Sequence, residues 1–502
     1  MLEVVWLKRD LRLHDHKPLT EALKSGQPIL VIYVAEPSIW LESELSARHF
    51  QFVKESLHDL QNQAKQRGGS LTFAIGEMEE ILDAIHTEYG DFVLHAHEEN
   101  GTPLTFKRDL RVHKWMKERE LIFNEYQHYG VVRRLKSRDD FHDKWIAFMK
   151  EKVLPSPDAL TTVDPAALPA VLSNNIDVLN QLEVSGPLLM SGQVGGERES
   201  MEVFKSFLRE RSKKYQFHIS KPLRSSISCS RLSPYIAWGN LSVRFIVQKT
   251  QSTMAKLEDD QHKNHLNMFM SRIHWHCHFI QRIEDDPEIT NVTINKAFDE
   301  VREKWDEEVF DRWYQGQTGI PMIDASMRAL HEIGWINFRS RAMVISFICN
   351  TMLLDWRKPA DALAGLFLDY EPGIHYSQVQ MQAATTGFNT IRIYNPIKQG
   401  IDHDPTGAFI RKYIPELRGI SNEFIHTPWE SGQELNGYPE PMVDIQRANQ
   451  HARSILWSVK QTKDAKEIAE NKLKKHGSRQ FPGKKKAKKS PGAEQLSLDL
   501  FD

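Results

Sequence analysis

EVVWL (3–7), HKPLTEALKSG (16–26) and ILVIYV (29–34) follow one another at the start of the chain, and their order decides the fold. The first and third are short β-rich runs. The third is nearly continuous in apolar residues, as suits a parallel strand buried on both faces. Between them lies a helical spacing of apolar residues that closes on Gly26, a C-cap signal. The next segment, ARHFQFVKESLHDLQNQAKQRGG (47–69), repeats the logic with an amphipathic helix and a double-glycine stop. LTFAI (71–75) and DFVLHA (91–96) supply two more strands. Alternation of this kind predicts a doubly wound parallel sheet over residues 1–130. The region has neither a GxGxxG fingerprint nor a P-loop, which argues against a standard dinucleotide or triphosphate site.

Beyond this the chain changes character. VLPSPDALTTVDPAALPAVL (153–172) and SGQVGGERES (191–200) read as a connector spanning about 131–200. Residues 201–458 are dominated by helical periodicity and hold Trp238, Trp275, Trp305, Trp313, Trp335, Trp356 and Trp429, so an all-α domain is expected. Any one of these indoles is more readily core filling than pocket lining. Residues 459–502 form a basic tail with the low-complexity run HGSRQFPGKKKAKKSPG, expected to be disordered.

At 502 residues the chain exceeds one usual core, and a net charge of −2 neither demands nor forbids a nucleic-acid partner. Three dispersed cysteines imply no disulfide framework. The opening residues lack an apolar signal core, and no stretch approaches the roughly 20 apolar residues of a membrane span. A cytoplasmic monomer without membrane contact is the expectation.

HWHCH (274–278) has the composition of a metal site. On a helix, however, His274 and His278 share a face while His276 points elsewhere, and no acidic ligand sits four residues from His274. No metal is expected there. The segment reads as pocket lining.

Four ordered blocks carry a family resemblance. They are Trp6-Leu7-Lys8-Arg9-Asp10-Leu11-Arg12; Ser230-Arg231-Leu232-Ser233-Pro234-Tyr235 through Gly239; TGIPMIDASMRALHEIGWINFRSRAM (318–343); and RIYNP (392–396) with GAFIRKYIPEL (407–417). Together they resemble the photolyase/cryptochrome flavoproteins, in an outlying bacterial branch. The resemblance implies an α/β antenna-type domain joined to an all-α domain that binds FAD folded into a U. It assigns Ser230, Leu232 and Ser233 to the pyrophosphate, with helix capping as the alternative for the serines. It places Phe217 where the family has a tyrosine near the phosphates. It makes Arg339 the acid-pairing arginine beside the flavin, and Asp369 and Glu371 the flavin-facing acids. Trp275 matches the tryptophan that stacks on extruded pyrimidines. Arg272, His276, Trp335, Gln382 and Gln399 are implied around the lesion, and Lys221 at a DNA phosphate.

The departures are specific. Arg272 replaces the family's lesion-contacting glutamate. Phe338 and Ala342 stand where other members carry an asparagine and a methionine, or a histidine pair. Gln380 replaces the inner tryptophan of the electron-transfer chain, of which Trp356 matches the middle and Trp305 the outer end, so Tyr376 or another aromatic would have to substitute. Three cysteines are one too few for the family's iron–sulfur branch. The loop HAHEENGTPLTFKRD (95–109) lies where relatives contact a folate or deazaflavin antenna, but it carries no recognisable folate set.

The resemblance implies light-driven splitting of pyrimidine dimers in UV-damaged DNA, with Trp275, Arg339 and Trp356 serving the chemistry. A cryptochrome-like photoreceptor without repair is the alternative, and a DNA-binding flavoprotein without light function a third. The end of the sequence, AEQLSLDLFD, resembles the peptide with which bacterial repair proteins dock into the sliding clamp, with Gln495, Leu496, Leu498, Leu500 and Phe501 as the contacting positions.

Overall fold

Val4 and Trp6 pack on one face of the first strand and Val5 and Leu7 on the other, the period-two division that a strand imposes. This strand, β1 (Leu2–Leu7), is central in a five-stranded sheet of order β3-β2-β1-β4-β5. The others are β2 (Ile29–Ala35), β3 (Thr72–Ile75), β4 (Phe92–His97) and β5 (Ile122–Tyr126), all paired in parallel. Every residue of β2 is buried, as its unbroken apolar run requires. β5 has the sequence IFNEY and lies half-exposed at the edge, too polar to announce itself as a strand. Helices Met78–Tyr89 and Pro103–Glu118 cover the Val4/Trp6 face, and Ala47–Gln66 covers the other. The computed structural model describes residues 1–41, 44–302 and 304–477. The lysine-rich run and the clamp-like peptide 495–501 lie outside them.

Residues 131–200 are more than a plain tether. They include the helix Phe141–Lys150, and they add single bridges to the sheet at Ile29–Thr162 and Phe73–Ser173. The sheet and the helical half share one core: Val5 and Leu7 belong to the same apolar cluster as Tyr235, Trp238, Phe269 and Ile273. A second cluster, including Ile323, Leu330, Val344 and Trp356, is confined to the helical half.

Two of the sequence signatures are physical partners at this junction. Arg9 Nε donates to the Ala237 carbonyl (2.9 Å), Arg12 Nη1 to the Gly239 carbonyl (2.9 Å), and Asn240 Nδ2 to the Leu11 carbonyl (3.0 Å). Gly239 has φ +71°, and a Cβ there would lie 2.1 Å from the Arg9 carbonyl oxygen. Only glycine permits that approach.

Candidate functional site: a deep cavity in the helical half

The helix Asp260–Asp285 presents Phe269, Arg272, His276 and Phe279 on one stripe, at the three-and-four spacing that keeps residues on one face. That stripe, with Trp275, forms one wall of a cavity of about 320 Å³. The rest of the lining includes Ser230, Arg231 and Ser233, Trp335 through Arg339, and residues of the helix Pro372–Gln382. The two long helices come together at Gly373, where a Cβ would lie 2.7 Å from the Ile280 Cα.

The apolar wall carries several polar atoms aimed inward. Arg231 Nη1, Arg339 Nε, Asp369 Oδ1, Glu371 Oε1 and Gln378 Oε1 are buried in the cavity lining without a hydrogen-bond partner among the described residues. Buried polar atoms are costly unless satisfied, so this arrangement calls for a large ligand that is apolar over much of its surface and polar at a few points. Arg231 is the most heavily constrained of them. Its backbone is left-handed (φ +60°), its carbonyl accepts from Gln193 Nε2 (2.7 Å), and its guanidinium lies 3.9 Å from the centre of the Trp335 ring. Burial lowers its pKa to about 10, so it remains a cation at neutral pH, beside Ser230 and Ser233. A cation with two hydroxyls can hold a diphosphate. Asp369, Glu371 and Gln378 supply acceptors for a ring system. This donor set fits FAD.

HWHCH is divided as its helical spacing predicts, but it is not pocket lining throughout: Trp275 and His276 line the cavity, and His274, Cys277 and His278 do not. His276 enters the cavity, and burial, followed by the field of Arg9, lowers its pKa to about 3. His274 stacks edge-on to Trp145 (4.8 Å), and the His278 carbonyl accepts from Arg138 (2.7 Å), both on the outer face against the helix Phe141–Lys150.

Several sequence assignments move. The arginine paired to an acid is Arg341, whose Nη2 lies 2.8 Å from Asp369 Oδ2, whereas Arg339 donates to Gln399 Oε1 (3.2 Å). Both arginines line the cavity, but two residues on a helix stand about 200° apart, so only one can meet the acid. Phe217 is 49% exposed and packs edge-on to His265; Tyr215, two residues earlier, takes the wall position. The Leu232 side chain is fully buried in the shared core, outside the cavity lining. Lys221 is exposed, outside the cavity lining. Trp356 also lies outside the lining, its Nε1 donating to Thr293 Oγ1 (3.1 Å). Tyr376 turns away from the cavity to donate to Asp361 (3.0 Å). Ser230, Ser233, Arg272, Trp275, His276, Trp335, Asp369, Glu371 and Gln382 all line the cavity.

Gln380 has a structural task of its own. It accepts from the Ile294 N–H (2.8 Å) and donates to the Ile289 (2.8 Å) and Val292 (2.9 Å) carbonyls, stapling the 289–294 turn. An indole could not make those bonds. The residues that sequence reasoning missed are Arg231, Arg341 and Gln193. Arg231 was visible inside a quoted motif. The other two acquire meaning only from partners 28 and 38 positions away.

A smaller cavity, about 60 Å³, opens at the carboxyl ends of β1 and β2 near the loop 95–109. Arg108 is ion-paired there with Glu36, Glu99 and Asp109. That volume is far below the roughly 300 Å³ at which ligand pockets begin, so a folate or deazaflavin does not fit it as it stands.

A parallel α/β domain fused to a helical domain, with a deep cavity equipped for a diphosphate-bearing aromatic cofactor, defines a class of flavin-binding proteins. Comparison with known proteins agrees. Residues 3–135 match the family model described as DNA photolyase, and residues 269–458 match the FAD binding domain of DNA photolyase. The chain is 27% identical to a deoxyribodipyrimidine photo-lyase of Vibrio cholerae, covering 88% of this chain and 96% of that protein. It is 26% identical to a cryptochrome DASH of Synechocystis, covering 90% and 97%. A bacterial class III photolyase from Agrobacterium tumefaciens superposes with a TM-score of 0.80 at 25% identity, over 92% of this chain and 98% of that one. The chain belongs to the photolyase/cryptochrome family, and its cofactor is FAD.

Proposed function

We propose that this protein repairs UV-induced pyrimidine dimers in DNA under blue light. The observation that carries this reading is a collar of cations beside an aromatic cavity. His218 is held below its ordinary pKa by burial and then by Lys221, Arg224 and Lys214. Burial, then Arg339, with Lys221 and Lys398 adding, brings His403 down to about 4 against the pull of Asp402. Arg339 lines the cavity and the exposed Lys221 directly follows Ser220 of the same lining, so these two cations stand at its rim, while Lys398 is paired with Asp402 (3.4 Å). Such a collar suits the phosphates of a flipped strand, and a flavin receptor has no need of it.

Bound FAD supplies light absorption and the electron that opens the dimer. The chain's part is to extrude, stack and enclose the lesion. Trp275 offers the stacking face, Arg272 and His276 polar contacts beside it, and Lys221 a phosphate contact. Trp275→Ala is expected to weaken binding to dimer-containing DNA by about 1–3 kcal/mol in a titration with undamaged DNA as control. The deciding test is repair of a dimer-containing oligonucleotide under blue light against a dark control. FAD-loaded protein that leaves the dimer intact in the light would refute the repair reading. The glutamines at 380 and 382 and the arginine at 272 favour the photoreceptor alternative, and that result would select it.

We further propose the bacterial sliding clamp as a partner, through Gln495, Leu496, Leu498, Leu500 and Phe501. Leu500 and Phe501 would be the apolar anchors. A peptide of residues 493–502 is expected to bind purified clamp at micromolar strength, and Leu500→Ala with Phe501→Ala to abolish binding. No binding by the native peptide removes this partner.

A further inference from the structure

Glu371 faces two cavities at once. It lines the FAD cavity, and it also lines a pocket of about 10 Å³ behind it, shared with Arg9, His97, Glu98, His128 and Tyr129. That volume holds about one water molecule. Glu371 is only 4% exposed, and its Oε1 has no hydrogen-bond partner among the described residues. Asp369, by contrast, is committed to Arg341.

The second pocket adjoins a buried cluster of titratable side chains packed ring against ring, with the Tyr129 hydroxyl donating to the Ile236 carbonyl (3.0 Å). His97 Nδ1 lies 2.7 Å from Asp10 Oδ2, and His16 Nε2 lies 3.0 Å from the same oxygen. The His97 ring stacks on His128 at 4.8 Å, and His128 on Tyr129 at 4.1 Å. Tyr129 meets His276 edge-on at 5.2 Å, and His276 is back in the FAD cavity. These three ligand-type residues, Asp10, His16 and His97, lie close enough to hold a metal ion. The Leu19 N–H donates to His16 Nδ1 (3.1 Å), so the proton of that ring sits on Nε2 and points into Asp10. A hydrogen-bonded cluster therefore accounts for them.

Two electrons added to a buried ring system leave it with excess negative charge, which a proton delivered nearby offsets. We propose that Glu371 exchanges the proton that accompanies reduction of the bound flavin, by way of the small pocket behind it. The proposal rests on FAD occupying the large cavity. Two electrons come from an added reductant such as dithionite. The Glu371 O–H bond breaks, its proton passes to the cofactor, and the carboxylate regains a proton from solvent through the pocket.

The groups facing Glu371 set when it can act. Burial raises its pKa, Arg9 from the loop after β1 opposes this, Glu99 from the loop after β4 adds to it, and the Gly373 N–H opposes; the result is about 7. Tyr129 and Cys277 also feel its charge, and burial raises both. Glu98 in the same pocket is likewise raised to about 7, chiefly by burial, while His97 is lowered to about 3 and His128 well below its ordinary value. Glu371 is thus protonated below about pH 7 and ionised above it.

The test uses the full FAD-loaded chain. A time-resolved infrared difference spectrum recorded during reduction by dithionite, before the carboxylate regains its proton, is expected to contain a protonated-carboxyl band that shifts in D2O. The band should vanish in Glu371→Gln and survive, displaced, in Glu371→Asp. Stopped-flow reduction by dithionite should slow by about tenfold per pH unit above pH 7 relative to Glu371→Gln, whose profile loses that inflection. Flavin-loaded wild-type protein without the band, or superimposed wild-type and Glu371→Gln profiles, would overturn the proposal while leaving the FAD site intact. Wild-type protein that takes up no flavin at all would remove the site and the proposal together.

Discussion

Replacing Arg48 with methionine is expected to cost about 4 kcal/mol of stability and to loosen the junction between the two halves. The Arg48 guanidinium is fully buried, with no carboxylate partner among the described residues. It donates instead to the carbonyls of Leu330 (3.0 Å), His331 (3.1 Å), Leu366 (2.8 Å) and Pro187 (3.3 Å). The first three end the helices Pro321–Ile333 and Arg357–Leu366, whose carboxyl termini carry partial negative charge. One side chain from the α/β half thus closes two helices of the other half and pins the connector. Methionine would remove four hydrogen bonds from a charged donor, worth roughly 1.5–3 kcal/mol each, although the Leu330 carbonyl keeps the Gly334 N–H (2.9 Å). Set against this is the desolvation of the guanidinium. Burial lowers its pKa to about 10 from 12.5, equivalent to roughly 3 kcal/mol that methionine would recover. The four lost hydrogen bonds outweigh that recovery. Chemical denaturation of Arg48→Met against wild type measures the difference, and Arg48→Lys should fall between them. A variant within 1 kcal/mol of wild type would show that the carbonyls find other partners.

The double variant Ser230→Glu with Ser233→Glu is expected to lose its cofactor. Both serines line the FAD cavity beside Arg231, the cation best placed for a diphosphate. A carboxylate about 4 Å from a phosphate charge costs roughly 4 kcal/mol at an effective dielectric of 20. Two of them lower affinity by on the order of 10⁵. Burial will push the new carboxyls toward protonation, so retention should worsen as pH rises. The variant Ser230→Gln with Ser233→Gln has the same bulk without charge and separates crowding from repulsion. Flavin absorbance of the purified variants, and of samples saturated with added FAD, gives the answer. Full occupancy in the glutamate variant would move the diphosphate away from these serines.

The elements that could be read from the sequence are those written in local periodicity. β1 through β4 and the helices between them follow from alternating or three-and-four apolar spacing, because burial on one face demands it of consecutive residues. β5 escaped because an edge strand need bury little, so it carries little pattern. The division of HWHCH between cavity and outer face was also local, fixed by helical geometry alone.

Side-chain partnership was not local. Arg339 and Arg341 are equally plausible partners for an acid from the sequence, and a two-residue shift on a helix reverses which face each presents. Gln380 reads as a lost redox residue until the backbone of residues 289–294 is seen folded against it. Phe217 and Tyr215 exchange places for the same reason, since a four-residue helix leaves the register of that turn open. The sequence by itself determined the two-part architecture and the class of cofactor, because strand and helix patterns and four signature blocks repeat the same local information. Tertiary structure alone decided which arginine meets Asp369, that Arg48 closes two helices, and that Glu371 stands between two cavities. Those facts depend on residues tens to hundreds of positions apart being brought within about 3 Å, and no local pattern encodes that distance.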